Sequence, residues 1–244
     1  MEKPSLFTKF LTVFVIGLGF VDLLLVSGEL NQTPSSEADE TYLLEEVFDL
    51  PEEQEPTALL VETAPILPSF TSQAPHGDWK SPWSDYAEEA VLYMTHKWIL
   101  GEEIEDADQS ARDLLTLGEW EALQFGSSLE ANAEQVLRVL NEFYGHENAF
   151  LLKNPDLQAL EDALAQGYVL LAPVNGELLD NPYYGDPAPR HHMILILSYD
   201  ASTGLFTTHD PGTRRGAFTT YSYEKILNAI QDLDASRVVI QSKP

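Results

Sequence analysis

Two kinds of hydrophobic pattern follow each other along this chain, and their order constrains the fold more than any other feature. Apolar residues with helical spacing come first, and the clearest set is Ala87, Ala90, Val91, Met94 and Trp98. The last third carries short runs rich in Val, Ile, Leu and Thr, at positions 168–174, 193–199, 205–209 and 237–241. Helices followed by mostly antiparallel strands predict an α+β fold, with a helical half before the sheet.

Cap and turn residues predict where the helices begin and end. Asp85 is expected to cap the first helix, and Gly101 lies beyond its end. Further helices are expected at 108–124, 129–144, 155–166 and 223–233. An irregular turn with Pro75, Gly77 and Pro82 is expected before the first helix.

The charge and the cysteine count exclude several functions. The chain has 244 residues, 13 basic against 40 acidic side chains, a formal charge of −27 and no cysteine. Such a charge repels phosphate backbones, so no nucleic-acid partner is expected. Without thiols there are no disulfides, thiolate zinc sites or Cys nucleophiles. No cofactor and no metal centre are predicted.

An apolar stretch at residues 10–26 follows Lys3 and Lys9. The positive flank is expected to stay cytoplasmic. Residues 1–27 are therefore interpreted as an uncleaved membrane anchor or a cleaved signal peptide, with a buried core helix as the third alternative. Both leading interpretations place the rest of the chain outside the cytoplasm, anchored to the membrane through 10–26 or secreted.

The next segment, residues 28–64, is strongly acidic. It contains eleven Asp and Glu residues, no Lys or Arg, and prolines at positions 34, 51 and 56. Because such a segment repels itself and buries little surface, it is interpreted as an extended linker. The folded domain is expected to span residues 65–244.

One pair of side chains is predicted to meet across a hairpin. A turn centred near Ser202 separates two strand runs, so positions whose numbers add to about 404 should pair. His192 and Asp210 then lie beside each other at the far end of the hairpin. A carboxylate next to His fixes its tautomer and stabilises its charged form, which is how a general base is oriented. A purely structural hydrogen bond is the alternative for this pair.

An ordered series of motifs resembles a bacterial family of papain-fold cysteine peptidases. The series consists of SQAPHGDW at 72–79, AEEA at 87–90, PVNG at 173–176, NPYY at 181–184, HM at 192–193 and DPGTR at 210–214. It is similar to the bacteriocin-leader, or double-glycine, processing peptidases, cysteine peptidase family thirty-nine. The resemblance covers about 66–241 and implies a papain-like fold for the domain 65–244.

The resemblance also implies roles for individual residues. The nucleophile position falls on Ala87, the base on His192 and its orienting partner on Asp210, with Gln73 as a possible oxyanion-hole donor. Ala87 stands where active relatives have cysteine, and its methyl group cannot attack a carbonyl. A cysteine in the first turn of a helix has a lowered pKa because free N–H groups and the helix dipole favour the thiolate.

Other candidates accompany these residues. Trp79, Trp83 and Tyr184, together with Tyr183, are expected to line a substrate cleft or to cover the core. Ser84 and Tyr86 are weak replacements for a nucleophile, because a shift along the helix misplaces the attacking atom. A metal site from His191, His192, His209 and Asp210 is disfavoured because strand neighbours point to opposite faces, although His192 and Asp210 with water could form one. His76, His96 and His146 are interpreted as surface or packing residues, and Arg214 and Arg215 as partners of nearby carboxylates.

Three functions follow as alternatives. The first is a membrane-tethered or secreted pseudopeptidase, a non-catalytic domain that binds a peptide or protein ligand. The second is a thiol peptidase or amide hydrolase seen with its Cys replaced by Ala87. The third is a structural surface domain, which would bind no peptide.

Overall fold

The computed structural model describes residues 66–126, 132–233 and 238–244. All of them belong to one compact unit, residues 60–244. The predictions for the anchor or signal at 1–27 and for the acidic linker at 28–64 lie outside the described residues. Within the described ranges, no helix has both the length and the apolar character needed to cross a membrane.

The described residues form five α-helices, and side-chain caps begin three of them. They are α1 Ala87–Ile99, α2 Ala107–Phe125, α3 Ala133–Arg138, α4 Leu157–Ala165 and α5 Tyr223–Leu233, and a π-helical turn, Val139–Phe143, continues α3. Asp106, Asn132 and Asp156 accept backbone N–H groups at the starts of α2, α3 and α4. The prediction that Asp85 caps α1 is wrong. Asp85 lies in a 3-10 turn, Trp83–Asp85, where its carboxylate accepts the Ser84 hydroxyl instead.

A six-stranded antiparallel sheet follows the first helices, which confirms the α+β fold predicted from the sequence. Its strands are β1 Ala149–Lys153, β2 Val169–Asn175, β3 His191–Asp200, β4 Leu205–His209, β5 Thr219–Ser222 and β6 Val238–Ser242. Their order in the sheet is β1-β6-β2-β3-β4-β5. The sequence did not predict β1 and β5. Both are short edge strands with partly exposed residues, so their hydrophobic pattern is weak.

Hydrophobic side chains cover both faces of the sheet. Along β3, Met193 and Leu195 join one cluster, which also contains Val91 and Met94 of α1. The alternate residues of β3 join a second cluster with Ile226 and other residues of α5. This alternation is the period of two that a strand imposes, and it fixes α1 and α5 on the sheet.

The β3–β4 hairpin positions the candidate site. Leu195 pairs with His209 and Ile196 with Thr208, so this part of the hairpin has the predicted register. In the part of the hairpin nearer the turn, the register differs by one residue because of a bulge between Ile196 and Ser198. Because the predicted register holds at the end away from the turn, His192 and Asp210 come together there.

Candidate active site

His192 and Asp210 form a buried pair at the open end of the hairpin. Nε2 of His192 lies 2.8 Å from Oδ1 of Asp210, and both side chains are fully shielded from solvent. His192 is the second residue of β3, and Asp210 directly follows β4. If the register of Leu195 and His209 is continued, Asp210 comes opposite Ile194, so His192 and Asp210 are diagonal neighbours two residues apart in register.

The Asp210 carboxylate accepts hydrogen bonds from five groups. Oδ1 also accepts the backbone N–H of Gly212 at 3.0 Å. Oδ2 accepts the Tyr184 hydroxyl at 2.6 Å, the Tyr221 hydroxyl at 2.5 Å and Nδ2 of Asn181 at 3.0 Å. So many donors hold the carboxylate in one orientation, and they satisfy a charge that burial would otherwise make very costly.

These contacts determine which nitrogen of His192 can act as a base. Burial alone would raise the pKa of Asp210, but the charge of His192 and the hydrogen bonds from His192, Tyr184 and Tyr221 outweigh it and lower this pKa to about 2. The ionised carboxylate only accepts hydrogen bonds, so Nε2 of His192 carries a proton. Nδ1 bears the lone pair whenever the ring is neutral, and this atom is buried without a hydrogen-bond partner. Nδ1 is therefore the ring atom that can accept a proton.

Ala87 is the first residue of α1. The preceding Tyr86 provides no side-chain cap, and Ala87 itself is buried. Uncapped N–H groups and the positive end of the helix dipole are therefore close to this position. The site suits a thiolate electrostatically, but the methyl group of Ala87 supplies no reacting atom.

Gln73 connects the start of α1 to the loop after Asp210. Its backbone N–H donates to the Pro211 carbonyl at 3.0 Å. Its side-chain Nε2 donates to the carbonyls of Trp83 and Ser84 at 2.9 and 2.8 Å. Both amide hydrogens are thus engaged, and none is left for an oxyanion in this conformation, while the buried Oε1 has no hydrogen-bond partner. Through these hydrogen bonds Gln73 links the segment before Ala87 to the segment after Asp210.

An open cleft of about 870 Å³ lies beside the pair. Ser84, Asp85 and Glu88 around Ala87 line it, and so do His191 and Gly212 next to His192. The cleft therefore runs over both parts of the predicted catalytic arrangement.

The aromatic residues predicted for the cleft divide into two groups. Trp79, Tyr183 and Tyr184 line it, and Tyr184 also stands edge-on to the His192 ring, with ring centroids 5.5 Å apart. Trp83 lies outside the lining and follows the alternative expectation, a residue that covers the core. Its ring packs at right angles on Tyr86, with centroids 5.7 Å apart, and joins a small core cluster between α1 and α2.

Four other histidines have partners outside the pair. His209 bonds the Pro68 carbonyl through Nε2 at 2.8 Å and the Phe218 N–H through Nδ1 at 3.2 Å, so it is no candidate ligand beside His192. His96 and His146 bond each other at 2.9 Å, and His76 pairs with Asp108 on the surface.

Two members of the Asp210 network were absent from the predicted site residues. Asn181 and Tyr221 each bond Oδ2 of Asp210, and Nδ2 of Asn181 also donates to the Tyr221 hydroxyl at 2.8 Å. Asn181 belongs to the NPYY motif, so the sequence could have indicated it as a site residue. Tyr221 lies in β5, a strand that the sequence pattern did not reveal.

Comparisons with known proteins find similarity among solved structures. No protein-family model matches the chain, and no curated protein matches it. A crystal structure described as a "putative C39-like peptidase from Bacillus anthracis" is similar over 72% of this chain and 94% of its own, with 14% identity and a TM-score of 0.48. Similarity at this level does not assign the chain to a family.

Proposed function

We propose that this chain is a peptidase-like domain that binds peptides without cleaving them, held outside the cytoplasm by an anchor or released by a signal. The observation that carries the proposal is the His192–Asp210 pair, whose base nitrogen Nδ1 is buried and has no hydrogen-bond partner. A structural histidine normally satisfies both ring nitrogens when it is buried, as His209 does here. A buried Nδ1 without a partner is consistent with a site in which this nitrogen would face the sulfur of a cysteine at position 87, an atom that Ala87 lacks.

The cleft supports the binding part of the proposal. It is open, it has a volume of about 870 Å³, and exposed aromatic rings of Trp79 and Tyr183 line it. Such rings provide apolar contact area for the side chains of an extended peptide. Without a nucleophile the bound peptide has no route to an acyl intermediate.

The same pair also favours a second candidate, a thiol peptidase in which Ala87 replaces the cysteine of active relatives. The variant Ala87→Cys tests both. We expect its thiol to react with an electrophilic peptide, such as a peptidyl vinyl sulfone, at least tenfold faster than the thiol of a Ser84→Cys control in the same cleft. The reason is that a base and a helix N-terminus raise the thiolate fraction at position 87.

The proposal requires that His192 causes the faster reaction of the Ala87→Cys thiol. The double variant Ala87→Cys/His192→Ala should therefore react like the Ser84→Cys control. Equal reactivity of both single-cysteine variants would show that position 87 has no working base beside it. Cleavage of peptide substrates by the Ala87→Cys variant would favour the thiol peptidase as the ancestral activity.

Binding by the unchanged protein is the second arm of the test. We expect the full 244-residue chain to bind peptides, measured by fluorescence anisotropy, and to leave them intact in mass spectra. Absence of any peptide binding would overturn the proposal in favour of a structural surface domain. Cleavage by the unchanged chain would overturn its non-catalytic part.

A further inference from the structure

The cleft beside His192 differs in charge from the rest of the protein. Three arginines and two carboxylates line it, namely Arg190, Arg214 and Arg215 against Asp85 and Glu88. The whole chain has 13 basic and 40 acidic side chains. The cleft therefore concentrates positive charge that the composition makes scarce.

Two of these arginines form no ion pair within the part of the chain that the structure describes. Arg190 lies 3.4 Å from Asp232 and 3.8 Å from Glu177, so its charge is partly compensated. No carboxylate of the described ranges lies within ion-pair distance of Arg214 or Arg215, so the expected pairing with neighbouring carboxylates is wrong for them.

Other contacts restrict both side chains. The Arg215 guanidinium lies 4.9 Å from the centroid of the Tyr183 ring, a cation–π contact. The Arg214 side chain lies along Gly77, where an added Cβ would come within 3.0 Å of Nη1, and it also borders a second hollow that Glu105 and Asp106 line. Because these contacts restrict the side chains without neutralising them, less entropy is lost when a carboxylate binds.

The loop that carries these arginines is fixed to the His192–Asp210 pair. The Asp210 N–H donates to the Gly216 carbonyl at 2.9 Å and closes the loop, and Gly212 N–H donates to Oδ1 of Asp210 at 3.0 Å. Arg214 and Arg215 lie between these two anchors. The same short segment therefore orients the imidazole and presents two cations to the cleft.

We propose that this cleft selects acidic peptides, with Asp or Glu side chains of the ligand bound by Arg214 and Arg215. The inference rests on the proposed function, since it names the class of peptide that the same cleft binds. A guanidinium forms a forked, charge-assisted pair with a carboxylate, which is stronger and more directional than a neutral hydrogen bond. The overall charge of −27 repels an acidic ligand at long range, so selection depends on these local contacts.

Matched peptides test the selection on the full chain. One probe is a short fluorescent peptide in which Glu alternates with Ala and Leu, and the other has Gln in place of every Glu. We expect the acidic peptide to bind about tenfold more tightly in anisotropy titrations at 0.15 M salt. The variants Arg214→Gln and Arg215→Gln should each remove most of that difference, because they weaken binding of the acidic peptide more than binding of the Gln peptide.

Two further variants separate a local contact from general charge. Arg112→Gln, on the exposed side of α2, changes the net charge equally and should not affect either peptide. Arg215→Lys keeps the charge but loses the fork and most of the stacking on Tyr183, so it should give an intermediate affinity. Unchanged thermal melting of all four variants establishes that they are folded.

The failure of this inference can be told from failure of the proposed function. Equal affinity for the two peptides overturns the acidic selectivity while peptide binding stands. An equal loss in the Arg112→Gln variant also overturns it, because net charge then explains the preference. Binding of neither peptide overturns both the selectivity and the proposed function.

Discussion

The His192 imidazole donates from Nε2 to the Asp210 carboxylate across 2.8 Å, and its second nitrogen is buried without a partner. The hydrogen bond at Nε2 fixes the orientation of the ring, and Nδ1 is left without a hydrogen bond. Gly212 completes the arrangement, since a Cβ at this position would lie 2.9 Å from Cε1 of His192. The absence of a side chain there lets the loop pass closely over the ring.

The first prediction concerns the carboxylate that holds the pair. Asp210→Asn keeps the shape of the side chain but removes its charge. One carboxylate oxygen is replaced by an NH2 group, which is a donor and faces the donors that this oxygen accepted. We expect unfolding in urea to show a loss of about 2 to 4 kcal/mol, because several buried donors lose their acceptor. Tyr184→Phe removes one donor only and should cost about 1 kcal/mol. Equal losses for both variants would contradict the role of Asp210 as the shared acceptor.

Part of this site was predictable from the sequence because it depends on short-range geometry. The turn near Ser202 fixes the register of β3 and β4 to within a residue, because the bulge between Ile196 and Ser198 changes it by only one. The end of the hairpin that carries His192 and Asp210 could therefore be identified from numbering alone, to within two residues.

The other parts of the site depend on contacts between residues far apart in the chain, which local sequence patterns do not predict. Tyr221 reaches Asp210 from an edge strand, and the indole of Trp83 turns to Tyr86 rather than to the cleft. The two amide hydrogens of Gln73 are taken by backbone carbonyls ten and eleven residues away. The choice among polar partners is made by tertiary packing, which spacing along the sequence does not reveal.

The second prediction concerns stability above neutral pH. Glu89 of α1 and Glu121 of α2 are buried, and none of their four carboxyl oxygens has a hydrogen-bond partner. Burial, and then the charges of Glu121 and Glu88, raise the pKa of Glu89 well above 4.5, and burial raises the pKa of Glu121 to about 7. In the unfolded chain these groups ionise near 4.5, so folding stability is lost as pH rises from there through about 7.

The variant Glu121→Gln should therefore lose less stability than the unchanged protein between pH 5 and pH 8. The difference is on the order of 2 kcal/mol in urea unfolding, because the amide has no proton to release. Glu119→Gln is the matched control, since Glu119 lies on the exposed side of the same helix. The same pH dependence in both variants would contradict a buried carboxyl pair.

The third prediction concerns stability below neutral pH. Burial lowers the pKa of His209 and of His146, and it lowers the pKa of His96 to about 4. These histidines are neutral in the folded protein but take up protons near pH 6.5 when unfolded. Their contribution to stability is therefore complete above pH 6.5 and is lost as pH falls towards 4.

His209 shows the structural reason most clearly. Its Nδ1 accepts the Phe218 N–H, so protonation of that nitrogen breaks this bond. His209→Gln and His96→Gln should each reduce the slope of stability against pH between 6.5 and 4, measured by thermal melting. An unchanged slope in both variants would contradict the role of burial.

The fourth prediction concerns the loop between Asp210 and Gly216. A Cβ on Gly216 would lie 1.7 Å from the Asp210 carbonyl oxygen, which is a backbone atom, so Gly216→Ala must displace the loop. We expect a loss of about 3 kcal/mol in unfolding free energy. Gly185→Ala is the control, since an added Cβ there meets nothing within 4 Å. Because the loop also carries Arg214 and Arg215, Gly216→Ala should weaken binding of the acidic peptide as well. If Gly216→Ala left both stability and binding unchanged, the close approach of the two backbone segments would be wrong.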